Sequence, residues 1–199
     1  MARVRDEESF QKKREQILAV ATQCFVESGF HGTGMAKVCQ AAGMSAGALY
    51  RYYPSKESII ETIIERDRKD TLFLLERLDK AKNKVTGLAD MMAEAVQLLA
   101  ADQDYCQLCV EISAEAARNP TMAQLLSAAE YELLNGLTAI ITQGQSAGQI
   151  TSALDPDVTA QLLITFVDGF IGQFAIKTDL NVTLLAQYAR QSVLNLLSE

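Results

Sequence analysis

Apolar residues recur along the chain at three- and four-residue spacing and almost nowhere in alternation, so the pattern predicts helices and no sheet. A first helix is expected over about Ser9–Ser28. Its stripe is Phe10, Ile17, Leu18, Ala21, Cys24 and Phe25, with Lys12, Glu15, Gln16 and Gln23 opposite. Gly29 supplies a left-handed stop. A short helix over about Met35–Ala42 points Met35, Val38, Cys39 and Ala42 inward and ends at Gly43. Ser45 is placed to cap a third helix, about Ala46–Tyr53, which Pro54 closes. Ser55 opens a fourth that runs to about Asp79. Ser58 stands where a capping box would hold Glu or Gln, so the reciprocal bond is expected to be missing. A polar connection over 80–87 precedes helices of about Leu88–Ala101 and Gln103–Arg118. Asn119-Pro120 and Asp155-Pro156 each join an N-cap to a proline at the first helical position. They open helices reaching about Gln145 and spanning about Pro156–Lys177. Asn181 caps a ninth, about Val182–Leu197. The fold class read from this pattern is all-α with nine helices.

Composition bounds the reading. A chain of 199 residues with 49% hydrophobic content can bury a core and is not disordered. No uninterrupted apolar run approaches 18 residues, so no membrane span is expected, and the charged start Arg3-Val4-Arg5-Asp6-Glu7-Glu8 contains no secretory apolar region. The expected location is the cytoplasm, with Cys24, Cys39, Cys106 and Cys109 reduced. Cys106-x-x-Cys109 has the spacing of a redox or zinc pair. In a helix the same spacing only puts two small residues on one face, and the sole histidine, His31, has no ligand spacing to it. No metal and no cofactor is expected.

The net charge of −7 is unevenly spread. Residues 1–57 carry eight basic and six acidic side chains, whereas residues 58–199 carry ten and nineteen. That asymmetry suits a cationic working face on an acidic body.

Residues 33–53 hold the chemistry. Two short helices meeting at Ala41-Ala42-Gly43 form a helix-turn-helix arrangement, or an ordinary helical hairpin with exposed aromatics. Leu49 points inward, leaving Ala46, Gly47, Ala48, Tyr50, Arg51 and Tyr52 on the outer face. Small residues there let the helix backbone approach a major groove, and Arg51, the only charge on that face, can reach a guanine edge. Lys56 at the next helix start offers a phosphate contact. Arg3, Arg5, Lys12, Lys13 and Arg14 make an N-terminal basic arm, either a source of salt-sensitive contacts or a solubilising tail. Glu111 and Glu115, four apart, are either exposed helix charges or a buried pair suited to a cationic effector. No Gly-x-Ser-x-Gly, P-loop or Gly-x-Gly-x-x-Gly motif supports an enzyme.

Thr33 through Lys56, with Phe25 and Gly29 ahead of it, resembles the DNA-binding signature of the TetR/AcrR family of bacterial transcriptional regulators. The shared residues are Ala41-Ala42-Gly43-Met44-Ser45, Gly47, Leu49-Tyr50-x-Tyr52-Tyr53 and Ser55-Lys56-Glu57. Cys39 and Tyr53 stand where that family usually has Ala and Phe. The resemblance implies a helix-turn-helix domain over 1–54, a connecting helix over 55–80 and an effector-binding and dimerisation domain over 81–199. It implies a homodimer, most often a repressor, that binds a palindromic operator in double-stranded DNA and is released by a small-molecule effector. Ala46, Gly47, Ala48, Tyr50, Arg51 and Tyr52 would face the groove, and Thr33, Met35, Ser45 and Lys56 would lie near phosphates. Met91, Met92, Tyr105, Cys106, Cys109, Tyr131 and Phe170 are the effector candidates. Phe166, Gly169, Gly172, Phe174, Leu185, Ala189, Val193 and Leu196 on the last two helices are the expected dimer surface. The alternative is an all-helical dimeric interaction protein without sequence-specific DNA binding.

Overall fold

The computed structural model describes residues 2–198, with side chains from Glu7 onward. Among these residues there is no strand. The helices are α1 (Ala2–Gly32), α2 (Met35–Ala41), α3 (Ala46–Tyr50), α4 (Lys56–Asp79), α5 (Lys84–Ala101), α6 (Gln103–Ala116), α7 (Pro120–Ser146), α8 (Pro156–Ile176) and α9 (Val182–Ser198). The side chains of Arg3 and Arg5 lie outside the described residues.

Most starts and stops follow the capping chemistry of the sequence. Asn83, Asn119, Asp155 and Asn181 accept from Thr86 N, Met122 N, Val158 N and Leu184 N at 2.9–3.3 Å. Two helix starts differ from expectation, and α3 stops at Tyr50, short of the expected Tyr53. α1 begins seven residues before Ser9, because 2–8 contains no glycine or proline and a helix can extend past its apolar stripe. α5 begins at Lys84, so Gly87 falls inside the helix. There its missing Cβ leaves room for Ala81, whose own Cβ would lie 3.1 Å from one built at Gly87. At α4 the reciprocal capping bond exists after all. Ser58 N donates to Ser55 Oγ (3.2 Å), and Ser55 N donates to Ser58 Oγ (3.3 Å), a hydroxyl doing the work of a carboxylate.

The contacts divide the chain into two compact units. The first comprises 1–66 with 111–125, and the second comprises 67–110 with 126–199. Part of α4 and a segment reaching from α6 into α7 thus join the helix-turn-helix, which the three-part division 1–54, 55–80 and 81–199 does not anticipate. The first unit buries Ile17, Ala21, Phe25, Val38, Leu49 and Tyr53. The second is built on α5 against α8 and α9, with Leu88, Met92, Val96, Leu163, Val193 and Leu197 at its centre. α7 meets α4 at Gly136, where a Cβ would stand 2.4 Å from Leu75 Cδ1.

α8 is long and apolar enough by length and composition to cross a bilayer, since its polar interruptions are single residues. Only 22% of its apolar stretch is buried in the protomer. No uninterrupted-run criterion detects such a helix.

Gly29 breaks α1 at φ +68° and ψ 166°, a region essentially closed to side chains, and a Cβ there would lie 3.0 Å from Glu111 Oε2. Gly29→Ala is therefore expected to destabilise the protein by about 1–3 kcal/mol, read as a lower midpoint in urea unfolding with an unchanged slope.

Candidate nucleic-acid interface

The chain leaves α1 through Gly29 and is pinned before α2. Thr33 is fully buried and its Oγ1 donates to Cys24 O at 2.8 Å, satisfying a carbonyl near the end of α1. After α2, Gly43 takes φ +62°, and Met44 N returns to Cys39 O at 3.0 Å. Ser45 then caps α3, its Oγ accepting from Ala48 N at 3.3 Å. Leu49, fully buried, fastens α3 to the unit, an anchor of about 1.5–3 kcal/mol. Ala46, Gly47, Tyr50 (50% exposed) and Arg51 are left outside, with Ala48 half-buried.

Several residues expected at DNA are committed elsewhere. Thr33 faces inward, as above. Lys56 Nζ donates to Phe30 O at 2.8 Å and stands 3.8 Å from the centre of the Phe30 ring. The ammonium therefore holds the α1–α2 connection, and the serine pair Ser55 and Ser58 occupies the neighbouring helix start. Tyr52 is half-buried, stacked on Phe10 at 4.7 Å. Met35 is half-buried at the head of α2. Within the basic arm, Arg14 is folded inward: Nη2 reaches Thr62 Oγ1 at 3.2 Å and the guanidinium lies 5.0 Å from the Tyr53 ring. Tyr53 donates its hydroxyl to Arg14 O at 3.3 Å. Burial raises the Tyr53 phenol despite the nearby Arg14. Lys12 is exposed, and Lys13 Nζ reaches Gln16 Oε1 at 3.5 Å. Lys37, on α2, reaches Ser28 Oγ.

In the second unit the effector candidates separate. Met91, Met92 and Cys106 are closed into the core, with the Cys106 thiol donating to Leu99 O at 3.4 Å. Tyr131 is 66% exposed. Phe170 is half-buried, its ring 6.3 Å from Phe174. Tyr105 and Cys109 come together, and the Tyr105 hydroxyl donates to Asp67 at 3.3 Å. Burial pushes the Cys109 thiol up to about 12, with Asp67 and Asp168 adding to it, and raises the Tyr105 phenol too. Asp67 and Asp168 were missed in the sequence, although Asp168 is a lone charge between Phe166 and Phe170 and so carried a signal. No group of three acidic, cysteine or histidine side chains among the described residues is placed to hold a metal ion. Of the expected dimer residues, Phe174 on α8 and Ala189 and Val193 on α9 are buried in the chain's own core, because both helices turn these positions toward α5. Phe166, Leu185 and Leu196 are half-buried, and Gly169 and Gly172 have open space above them.

Two expectations follow from this geometry. Lys56→Gln should lower stability by about 1 kcal/mol while leaving the salt dependence of DNA binding unchanged, since its charge serves Phe30. Native protein should react slowly with a thiol reagent at neutral pH and release four thiols only on unfolding. Because the folded Cys109 keeps its proton longer than the unfolded chain does, stability should fall as pH rises from the ordinary thiol value of 9.0 toward about 12.

Comparison with known proteins agrees with this architecture. Residues 17–63 match the family described as bacterial regulatory proteins, tetR family, and residues 85–198 match the BetI-type transcriptional repressor C-terminal domain. The HTH-type transcriptional regulator UidR of Escherichia coli K12 is 29% identical over 164 residues, covering 81% of each chain. The solved structure of Salmonella enterica GusR superposes with a TM-score of 0.80 at 31% identity, over 94% of this chain and 96% of that one. The transcriptional regulator FadR of Bacillus subtilis, solved in complex with stearoyl-CoA, shares the fold at a TM-score of 0.80 and 20% identity, over 92% of this chain and 98% of that one. A helix-turn-helix head and a helical body that each match a family description leave one conclusion: the chain belongs to the TetR family of bacterial DNA-binding transcriptional regulators, and it is not an enzyme.

Proposed function

We propose that the protein represses transcription in the cytoplasm by binding a palindromic operator as a homodimer, and that a small-molecule effector releases it. The observation that carries this reading is the outer face of α3, where Ala46 and Gly47 leave space and Arg51 and Tyr50 project. A helix with so little bulk can enter a major groove closely, and Arg51 can then donate two hydrogen bonds to one guanine. Ser45, exposed at the start of that helix, and the exposed Lys12 of the basic arm are the residues left for the DNA backbone. Arg51→Ala is expected to weaken operator binding by about 1–3 kcal/mol and to relax preference at one base pair per half-site, measured by electrophoretic shift on the upstream DNA of its own gene. Equal binding of operator and scrambled DNA by wild type and variant would favour the interaction-protein reading instead.

Homodimerisation is supported by the uncovered side of α8 and α9. Val158, Leu162, Ile176, Leu184 and Tyr188 are exposed there, beside the open space at Gly169 and Gly172. An apolar helix left mostly unburied is unfavourable in water, and glycines without a covering neighbour admit another helix at short range. Leu162→Glu should convert a dimer into a monomer in analytical ultracentrifugation, with helicity retained.

For the effector, Tyr105, Cys109 and Phe170 remain the favoured lining. Asp67 and Asp168, close to the first two, give this region an acidic character that disfavours an anion. We therefore read the effector as an uncharged, largely apolar molecule. Stearoyl-CoA, which the Bacillus FadR structure holds, should leave the operator shift unchanged.

A further inference from the structure

A cavity lies within the first unit. It has a volume of about 330 Å³, at the low end for ligand sites, and is lined by Ser28, His31, Glu111, Ala114, Glu115 and Arg118, among others. The break at Gly29 lays the chain from Ser28 to Gly32 along the last turns of α6, and that crossing forms the walls.

Two carboxylates one helical turn apart face it. Glu111 is tied down, its Oε2 accepting from Phe30 N at 2.9 Å. Glu115 is only 7% exposed, so the reading of it as an exposed helix charge is corrected, and Glu111 is half-buried. Oε1 of Glu115 accepts from Asn119 Nδ2 at 3.1 Å, but Oε2 is buried without a hydrogen-bond donor. His31 Nδ1 stands 3.2 Å from that oxygen, within ion-pair range but without hydrogen-bond alignment, and its ring is 73% exposed.

A buried, undonated carboxylate oxygen facing a cavity is an acceptor without its partner. We propose that this cavity binds a small primary organic ammonium ion, with Glu115 Oε2 as the principal acceptor and Glu111 as the second carboxylate. An –NH3+ group has three rotatable donors and can serve two carboxylates one turn apart, while Phe30 and Ala114 supply apolar wall for a short alkyl chain. A metal ion fits poorly, since no group of three suitable ligands gathers among the described residues. An occupant would bear on Ser28–Gly32, the segment that delivers the chain into the helix-turn-helix, and so would act on the DNA-reading unit independently of the effector region in the second unit.

The test is isothermal titration calorimetry on the full chain without DNA, using n-butylammonium and 1,4-diaminobutane, with 1-butanol and tetramethylammonium as controls. The expected result is saturable binding of both amines, none of the alcohol, and a loss of about tenfold or more in Glu115→Gln, which keeps the shape and the Asn119 contact. His31→Gln, which removes the nearby imidazole, should retain amine binding. Absence of amine binding, undiminished binding in Glu115→Gln, or equal binding of tetramethylammonium, which has no N–H donor, would each overturn the proposal. Should Glu115→Gln fail to fold by circular dichroism, the comparison of n-butylammonium with tetramethylammonium on the wild type decides it. The readout needs no operator, so it stands or fails separately from the repressor reading.

Discussion

The position of α3 depends on how the backbone of one residue, Phe30, is held on both sides. Its N–H is taken by Glu111 and its carbonyl by Lys56, from two different helices, at 2.9 and 2.8 Å. Neither bond can form unless Gly29 first turns the chain through a conformation that side chains avoid. Thr33 then fixes the far side of the same connection to the end of α1. With both ends of the segment fixed, α2 and α3 have little freedom relative to α1, and the Ala46–Arg51 face is presented as a set surface. Preorganisation of that kind lowers the ordering cost of binding and helps a short helix discriminate among DNA sequences.

What could be read from the sequence was mostly what is local. The caps at Asn119, Asp155 and Asn181, the stops at Gly29 and Gly43 and the inward turn of Leu49 all follow from residues within a few positions of each other. Where a side chain departs from its local pattern, its partner lies far along the chain. Lys56 has the charge and location of a phosphate ligand, and what redirects it is a carbonyl 26 residues earlier. Thr33 and Arg14 were similarly turned inward by Cys24 and Tyr53. Glu115 was indistinguishable from a solvated helix charge until Ser28–Gly32, some 80 residues away, covered it. On α9 the apolar stripe was visible, but its direction, toward α5 or toward a second protomer, is a tertiary fact that periodicity does not contain.

The second unit shows how one helix can serve two environments. α8 sends Leu163 and Phe174 into the core and leaves Val158, Leu162 and Ile176 in solvent. Its two free glycines lie on a surface with nothing above them, unlike Gly136 and Gly144, which are already pressed against Leu75 and Ile150. Glycine costs helical stability wherever it sits. At Gly136 close packing inside the protomer accounts for that cost, and at Gly169 and Gly172 nothing inside the protomer does.

The inward commitment of Lys56 and Arg14 also bears on how the protein searches a genome. Non-specific affinity for DNA grows with the number of phosphates a protein neutralises, because each one frees condensed counterions. A head that spends Lys56 and Arg14 on its own backbone and aromatic rings releases fewer ions at random sequence than one with both turned outward. Its attachment to unrelated sequence therefore varies less with ionic strength than that of a head with both cations turned outward.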